Sequence, residues 1–408
     1  MRKSKAVTAA CCVAVALLLS LLTSCGGAAS TTPTPPASPW GEIVTLGETE
    51  QTDAPDIIIQ PDQVIAAWIG ADERGVHQDM RALRTDGLSE IVVLPLPPVH
   101  PYAQQVAAGS AGHFHLLWLD ALADETRLFS ALVTNTPELE RGPTIVSDEH
   151  TLRYTALANG DGSLWTVTSG GVIAEPSLYA RYIDAAGRPR LEDRSAAVSD
   201  ADWPALLRDD TGALWLFWLR HSDGQVLRSP FVDGWTENPQ IISPGLALNP
   251  GDRLMDFNAA LNSQDTYLFW NVTRADGRPE SWYARGRLDT VTWGAPQRLR
   301  FDMIDAPFET GFNTGTAQQA AEGERDLVWA RPLATSPDVL PVAGLADNRL
   351  VVLYLRAGAV AGYQQITTMN GLLGAPNLLT DRDRHLYLAW AEVGSSGSAR
   401  LRLTMTRR

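Results

Sequence analysis

The sequence predicts an all-β fold, a β-propeller of four-stranded blades, and three observations predict it. A short strand, a polar turn and a second strand ending in Trp recur along the chain; the recurrence has a period near 50 residues; and the N-terminal strand has the look of the piece missing at the C-terminus. Seven blades fit the number of repeats best, with six and eight as alternatives.

The strand pairs come in order. Asp56 to Gln60 turns into Val64 to Trp68, Gln105 to Ala111 into His113 to Trp118, and Tyr154 to Gly162 into Leu164 to Val167. Trp203 to Gly212 turns into Leu214 to Trp218, and Phe257 to Asp265 into Tyr267 to Trp270. Val342 to Asn348 then turns into Leu350 to Tyr354, and Pro376 to Arg384 into Leu386 to Trp390. Trp68, Trp118, Trp218 and Trp270 are spaced by 50, 100 and 52 residues, with Thr168 midway where a Trp would fall. Helical repeats of this length lack such alternating, Trp- and Val-rich strands.

A third strand follows each Trp strand, as in Arg127 to Leu132, Ser177 to Tyr182 and Trp282 to Gly286. A fourth is often introduced by proline: Pro143 to Ser147, Pro239 to Ser243, Pro296 to Arg300. Proline suits an outer edge because a missing backbone donor is tolerated there. The last unit ends after its third strand, Arg400 to Met405, so Gly41 to Leu46 is expected to complete it and close the ring. Phe312 to Leu333, with Leu327-Val328-Trp329, reads as a partial eighth unit or an insertion in blade six.

Ahead of the repeats, Arg2, Lys3 and Lys5 precede an apolar run from Ala6 to Leu22, the pattern of an export signal. The run closes on Leu22-Thr23-Ser24-Cys25, which resembles the bacterial lipobox. That resemblance implies cleavage before Cys25 and its lipidation, with a membrane as partner through the anchor. Residues 1–24 are then a signal peptide and residues 25–39 a lipidated cysteine with a disordered Pro/Ser/Thr tether, semi-extended at about 3 Å per residue. Residues 40–408 form the propeller, about 370 residues, more than one ordinary core encloses.

All three cysteines (Cys11, Cys12, Cys25) and both lysines (Lys3, Lys5) lie in or at the end of the signal. The mature body therefore has no disulfide, no thiolate metal site and no lysine Schiff base. Its charge is strongly negative: −14 for the whole chain, and more so once Arg2, Lys3 and Lys5 are gone. Nucleic acid and other polyanions are poor partners for such a surface. A monomer is expected, and neither cofactor nor metal.

The repeated Trp residues are read as core between blades, because aromatics at a fixed strand position pack in periodic architectures. Asn159 to Gly162, Asp209 to Gly212 and Asp381 to Arg384 are Asp- and Gly-rich, but each joins two strands and lacks calcium-loop spacing, so they are read as turns. His113 and His115 share a strand face, the only ligand-like pair among the histidines, and further zinc ligands are not evident.

The polar-turn-Gly-x-Leu-x-x-x-Trp phrase, followed by strands such as Leu178-Tyr179-Ala180-Arg181, resembles the sialidase-like group of bacterial propellers. Ser199 to Trp203 and Val232 to Thr236 carry fragments of that group's Ser-x-Asp-x-Gly-x-Thr-Trp box. The resemblance implies an arginine triad gripping a carboxylate, a Tyr nucleophile assisted by Glu, and an acid-base Asp. Arg153, Arg220 and Arg253 are candidates for the first, Tyr154 with Glu149 for the second, and Asp202 or Asp256 for the third. With the box only fragmentary, the expectation is a non-catalytic module binding protein, peptide or glycan on its loop face. The alternative is a sialidase-like hydrolase or a lyase acting on extracellular glycans.

Overall fold

A computed structural model describes residues 39–407, apart from 74, 97–99, 111, 191–196, 234, 237, 243–244, 303–306, 310–313, 317–323 and 395–396. The lipobox, Cys25 and the tether up to residue 38 lie outside the described residues. Among the described residues the chain is all β, with no helix, and its sheets form a seven-bladed propeller.

Each blade is a meander in which consecutive strands pair antiparallel. The first strands are Asp56–Ile59, Tyr102–Ala108, Thr151–Ala158, Ala201–Arg208, Arg253–Leu261, Val328–Pro332 and Asn377–Thr380. Each touches the next around the ring, and the last touches the first, so these seven strands line the central channel. All begin at one end of it, here called the mouth. The loops joining second to third strands lie at that same end, because direction alternates along each blade.

The blades pack face to face through the repeated tryptophans. Trp68, Trp118, Trp218, Trp270 and Trp390 are all at most 4% exposed, as core residues must be. Where Thr168 replaces the tryptophan, the space is polar: Thr168 is fully buried and its hydroxyl donates to Glu149.

Ring closure takes the expected form. Val44–Thr49 is the outer strand of the last blade, paired antiparallel with Ala399–Met405 in the register Val44 to Leu403, Gly47 to Leu401 and Thr49 to Ala399. Leu46, completely buried, belongs to the cluster of Ile57, Val64, Trp68 and Leu401 that joins the last blade to the first. Outer strands follow Pro239 and Pro296 as expected, at Gln240–Ile242 and Gln297–Arg298, whereas the strand expected from Pro143 to Ser147 runs from Leu139 to Ile145 with the proline in its interior.

Blade six is offset by one strand from the sequence expectation. Its innermost strand is Val328–Pro332, so Leu340–Ala346 and Arg349–Arg356 are second and third rather than first and second. The segment Leu327-Val328-Trp329 is thus neither an eighth unit nor an insertion. The inserted part is shorter: Arg300–Asp302 pairs with Glu324–Asp326 beside a small hairpin, Pro307–Glu309 with Thr314–Thr316. This blade has a Trp on its inner strand and none on its second, and a longer connection replaces the tight turn, so the repeated phrase cannot be read there.

Candidate functional site

Five of the seven inner strands slip register within their first few residues, at Tyr102/Gln105, Thr151/Arg153, Asp202/Ala205, Leu254/Asp256 and Val328/Arg331. A bulge there bends the strand and re-aims its side chains, a device common at barrel rims and active sites. At three of them a non-glycine residue takes a positive φ: Ala103 at 49°, Trp203 at 54° and Trp329 at 56°. Left-handed backbone at large residues is costly and concentrates where binding or chemistry occurs.

Polar side chains meet there from blades far apart in sequence. Asn377, first residue of its inner strand, donates from Nδ2 to Asp56 Oδ1 at 3.0 Å and to the Pro55 carbonyl at 3.0 Å. Arg331 reaches Asp256 Oδ2 through Nη2 at 3.2 Å and Asn258 Oδ1 through Nη1 at 3.2 Å. Its charge also acts on Asp53 and Asp56 across the channel. Asn258 Nδ2 and Arg331 Nε are enclosed and lack a hydrogen-bond partner among the described residues.

Enclosure pushes the Asp56 carboxyl up to about 8, with the charge of Asp53 adding to the effect and Arg331 and Asn377 opposing it. Asp53 is also raised by its surroundings, against a hydrogen bond from the Ala103 N–H and the pull of Arg331. Water reaches Asp53 directly, which tempers that rise. Near neutral pH Asp56 is thus a proton-bearing carboxyl within reach of the Arg331 charge, able to donate as well as accept.

The residues singled out from sequence fall around this same end. Arg153 and Asp202 are brought together: they form an ion pair between blades three and four, and the guanidinium lies 3.8 Å over the Trp203 ring. Asp202 is anchored further by the Ser169 hydroxyl at 2.5 Å and the Trp203 N–H at 2.8 Å. Arg220 pairs with Asp223 at 3.1 Å on its own turn, and Arg253 is exposed at the start of its inner strand. Asp256 faces Arg331.

Tyr154 and Glu149 are not brought together. The Tyr154 hydroxyl is directed at the carbonyls of Ala103 (2.7 Å) and Leu117 (3.1 Å) in blade two, and burial lifts its proton affinity well above that of an ordinary phenol. Glu149 instead holds Arg181 at 3.2 Å, the guanidinium being 1% exposed.

The turn residues behave as turns. Asp161 accepts from the Ser163 N–H at 3.0 Å, Asp209 from the Thr211 and Ala213 N–H groups, and Asp381 from the His385 N–H at 2.8 Å. Asp381, Asp383 and His385 also bring ligand atoms within 4.8 Å of one another, but at the end away from the mouth, where Asp381 is engaged by His385 and Tyr387. His115 is fully buried and its Nε2 meets the Gly162 carbonyl at 2.8 Å, a link between blades two and three.

Asp53, Asp56, Asn258, Arg331 and Asn377 escaped the sequence reading. A faint signal was present: Asp56 and Asn377 are polar residues that open otherwise apolar inner strands.

No family model and no curated protein matches this chain. Solved structures do. The polysaccharide lyase Uly1 is similar over 93% of this chain and 94% of its own, at 12% identity and a TM-score of 0.53. A PL25 ulvan lyase is similar over 88% and 94%, at 8% identity and a TM-score of 0.48. The Aleuria aurantia lectin, solved with a fucosylated sugar, is similar over 79% and 97%, at 10% identity and a TM-score of 0.45. Identities this low speak for the propeller fold alone.

Proposed function

We propose that the chain is a lipid-anchored, extracytoplasmic binding module that takes a glycan at the channel mouth. The observation behind this reading is the convergence of Asp53, Asp56, Asp256, Asn258, Arg331 and Asn377, from blades one, five, six and seven, at one strained end of the ring. Carboxyl, amide and guanidinium groups at several angles match vicinal hydroxyls, each of which donates and accepts. Tyr102, 41% exposed at the same end, offers an aromatic face for a sugar ring.

Trp40 bridges to Thr406 at the end of the propeller opposite the mouth. The protein acts as a monomer and holds no cofactor.

Binding without turnover is favoured because the Tyr154 hydroxyl is engaged by backbone carbonyls, Glu149 is held by Arg181, and burial, with the nearby charges of Asp56 and Asp53, opposes ionisation of the phenol. The Asp56 carboxyl supports a second reading, a glycoside hydrolase or lyase with Asp56 as proton donor, since an acid near pH 8 retains its proton at neutral pH. The Uly1 lyase shares the fold, so polysaccharides are the first ligands to test. Calorimetry against a polysaccharide panel, with reducing-end and unsaturated-sugar release followed in parallel, separates the two. Saturable binding lost in Arg331→Ala, with no product formed, is expected; product formation abolished by Asp56→Asn would establish the enzyme.

A further inference from the structure

Asparagine followed by glycine is a chemically labile pair. The glycine's backbone nitrogen can attack the asparagine side-chain carbonyl, because no Cβ on the glycine hinders the approach or narrows its backbone freedom. The attack joins that nitrogen to Cγ and expels Nδ2 as ammonia, leaving a five-membered succinimide. Water then opens either ring carbonyl. One opening gives aspartate, and the other gives isoaspartate, whose backbone is longer by one methylene.

The chain has two such pairs, Asn159-Gly160 and Asn370-Gly371, and the fold treats them differently. Asn159 lies in the turn between the first two strands of blade three, and both ends of its amide are held. Its Nδ2 donates to Ser163 Oγ at 2.9 Å, and its Oδ1 accepts from Arg208 Nη2 at 2.7 Å. The turn is closed by the Asn159 N–H, given to the Ser163 carbonyl at 2.7 Å, and by the Gly162 N–H, given to the Asn159 carbonyl at 3.1 Å. Swinging Cγ onto the Gly160 nitrogen breaks both side-chain bonds.

Asn370 has none of this restraint. It is exposed, and its side chain makes no hydrogen bond among the described residues. The attacking group, the Gly371 N–H, likewise meets no acceptor among them. The pair lies on the connection from Ala359–Thr368 in blade six to Asn377–Thr380 in blade seven. It is fixed on either side, by the Met369 N–H to the Asn348 carbonyl at 2.8 Å and by the Val393 N–H to the Gly371 carbonyl at 3.2 Å. Asn348 and Val393 sit where the second strands of blades six and seven give way to the third, so Asn370 stands at the mouth. We propose that Asn370 is a site of spontaneous deamidation, that the fold protects Asn159, and that the change sets a new negative charge on the rim of the mouth.

The test is peptide mapping by mass spectrometry of the purified full-length protein after incubation at mildly alkaline pH, which favours deprotonation of the attacking nitrogen. The Asn370 peptide should gain about one dalton and contain isoaspartate. It should convert about tenfold faster than the Asn159 peptide, because two hydrogen bonds must first break at Asn159. Gly371→Ala should slow conversion several-fold with melting unchanged, since the added Cβ meets only Val393 Cγ2, at an ordinary contact distance of 3.4 Å. Unfolded in urea, the two pairs should convert at similar rates. Asn370 staying intact in the folded protein, or Asn159 converting as fast there, would overturn the proposal. A lag at Asn159 that persists in urea would overturn the protective role given to the fold.

Discussion

Replacing Leu46 with alanine probes whether the N-terminal strand truly closes the ring. Leu46 is completely buried between the last blade and the first, among Ile57, Val64, Trp68 and Leu401. The substitution removes three carbons, worth about 2.4 kcal/mol of transfer free energy. A residual cavity beside the rigid Trp68 ring raises the expected loss to about 3 kcal/mol, inside the range of about 2–5 typical of buried leucine. Glu48→Ala on the same strand is the control: its partner Arg400 is 3.4 Å away at the surface, and the change should cost about 0.5 kcal/mol or less. Urea unfolding followed by tryptophan fluorescence reads both losses, and limited proteolysis reports whether the strand detaches. Equal shifts for the two variants would refute the closure, because they would mean that Leu46 is not buried against blade one. Deleting residues 41–47 should be costlier still, since it exposes the edge of Ala399–Met405, while deleting residues 29–39 should leave the midpoint unchanged.

Three further outcomes are expected. Cys25→Ser should move the protein from the membrane fraction to the soluble one, as fractionation and blotting will show. Burial lowers the affinity of His115 for a proton, so the unfolded chain takes up the proton first; stability should therefore fall as pH drops below about 6.5, the ordinary histidine value, and His115→Gln should flatten that slope in melts from pH 7.5 to 5. For Asp56 the sign is reversed: the folded carboxyl, at about 8, holds its proton when the unfolded one, near 3.8, has lost it, so stability declines as pH rises between those values, and Asp56→Asn should remove that decline.

Much of this protein is decided by local pattern. Alternation along each strand, tryptophans about 50 residues apart and polar turns between them specify blades, because a strand with one apolar face can bury it only against its neighbour in a repeat. The same logic makes the N-terminal strand the natural partner of an unfinished last blade, as the pairing of Val44–Thr49 with Ala399–Met405 shows. Blade six departs from the phrase, with its Trp329 on a bulged inner strand, and only the paired sheet reveals its true first strand. The mouth was hidden for a different reason. Asp56, Asn258, Arg331 and Asn377 lie at one end because closing the ring brings the starts of the inner strands together, and bulges in blades five and six re-aim the strands of Asn258 and Arg331. Sequence spacing carries no trace of a meeting across the ring, whereas the tertiary fold sets both which residues share the channel and how far each is removed from water. That enclosure, rather than residue type, is why Asp56 keeps its proton where an aspartate on the surface gives it up.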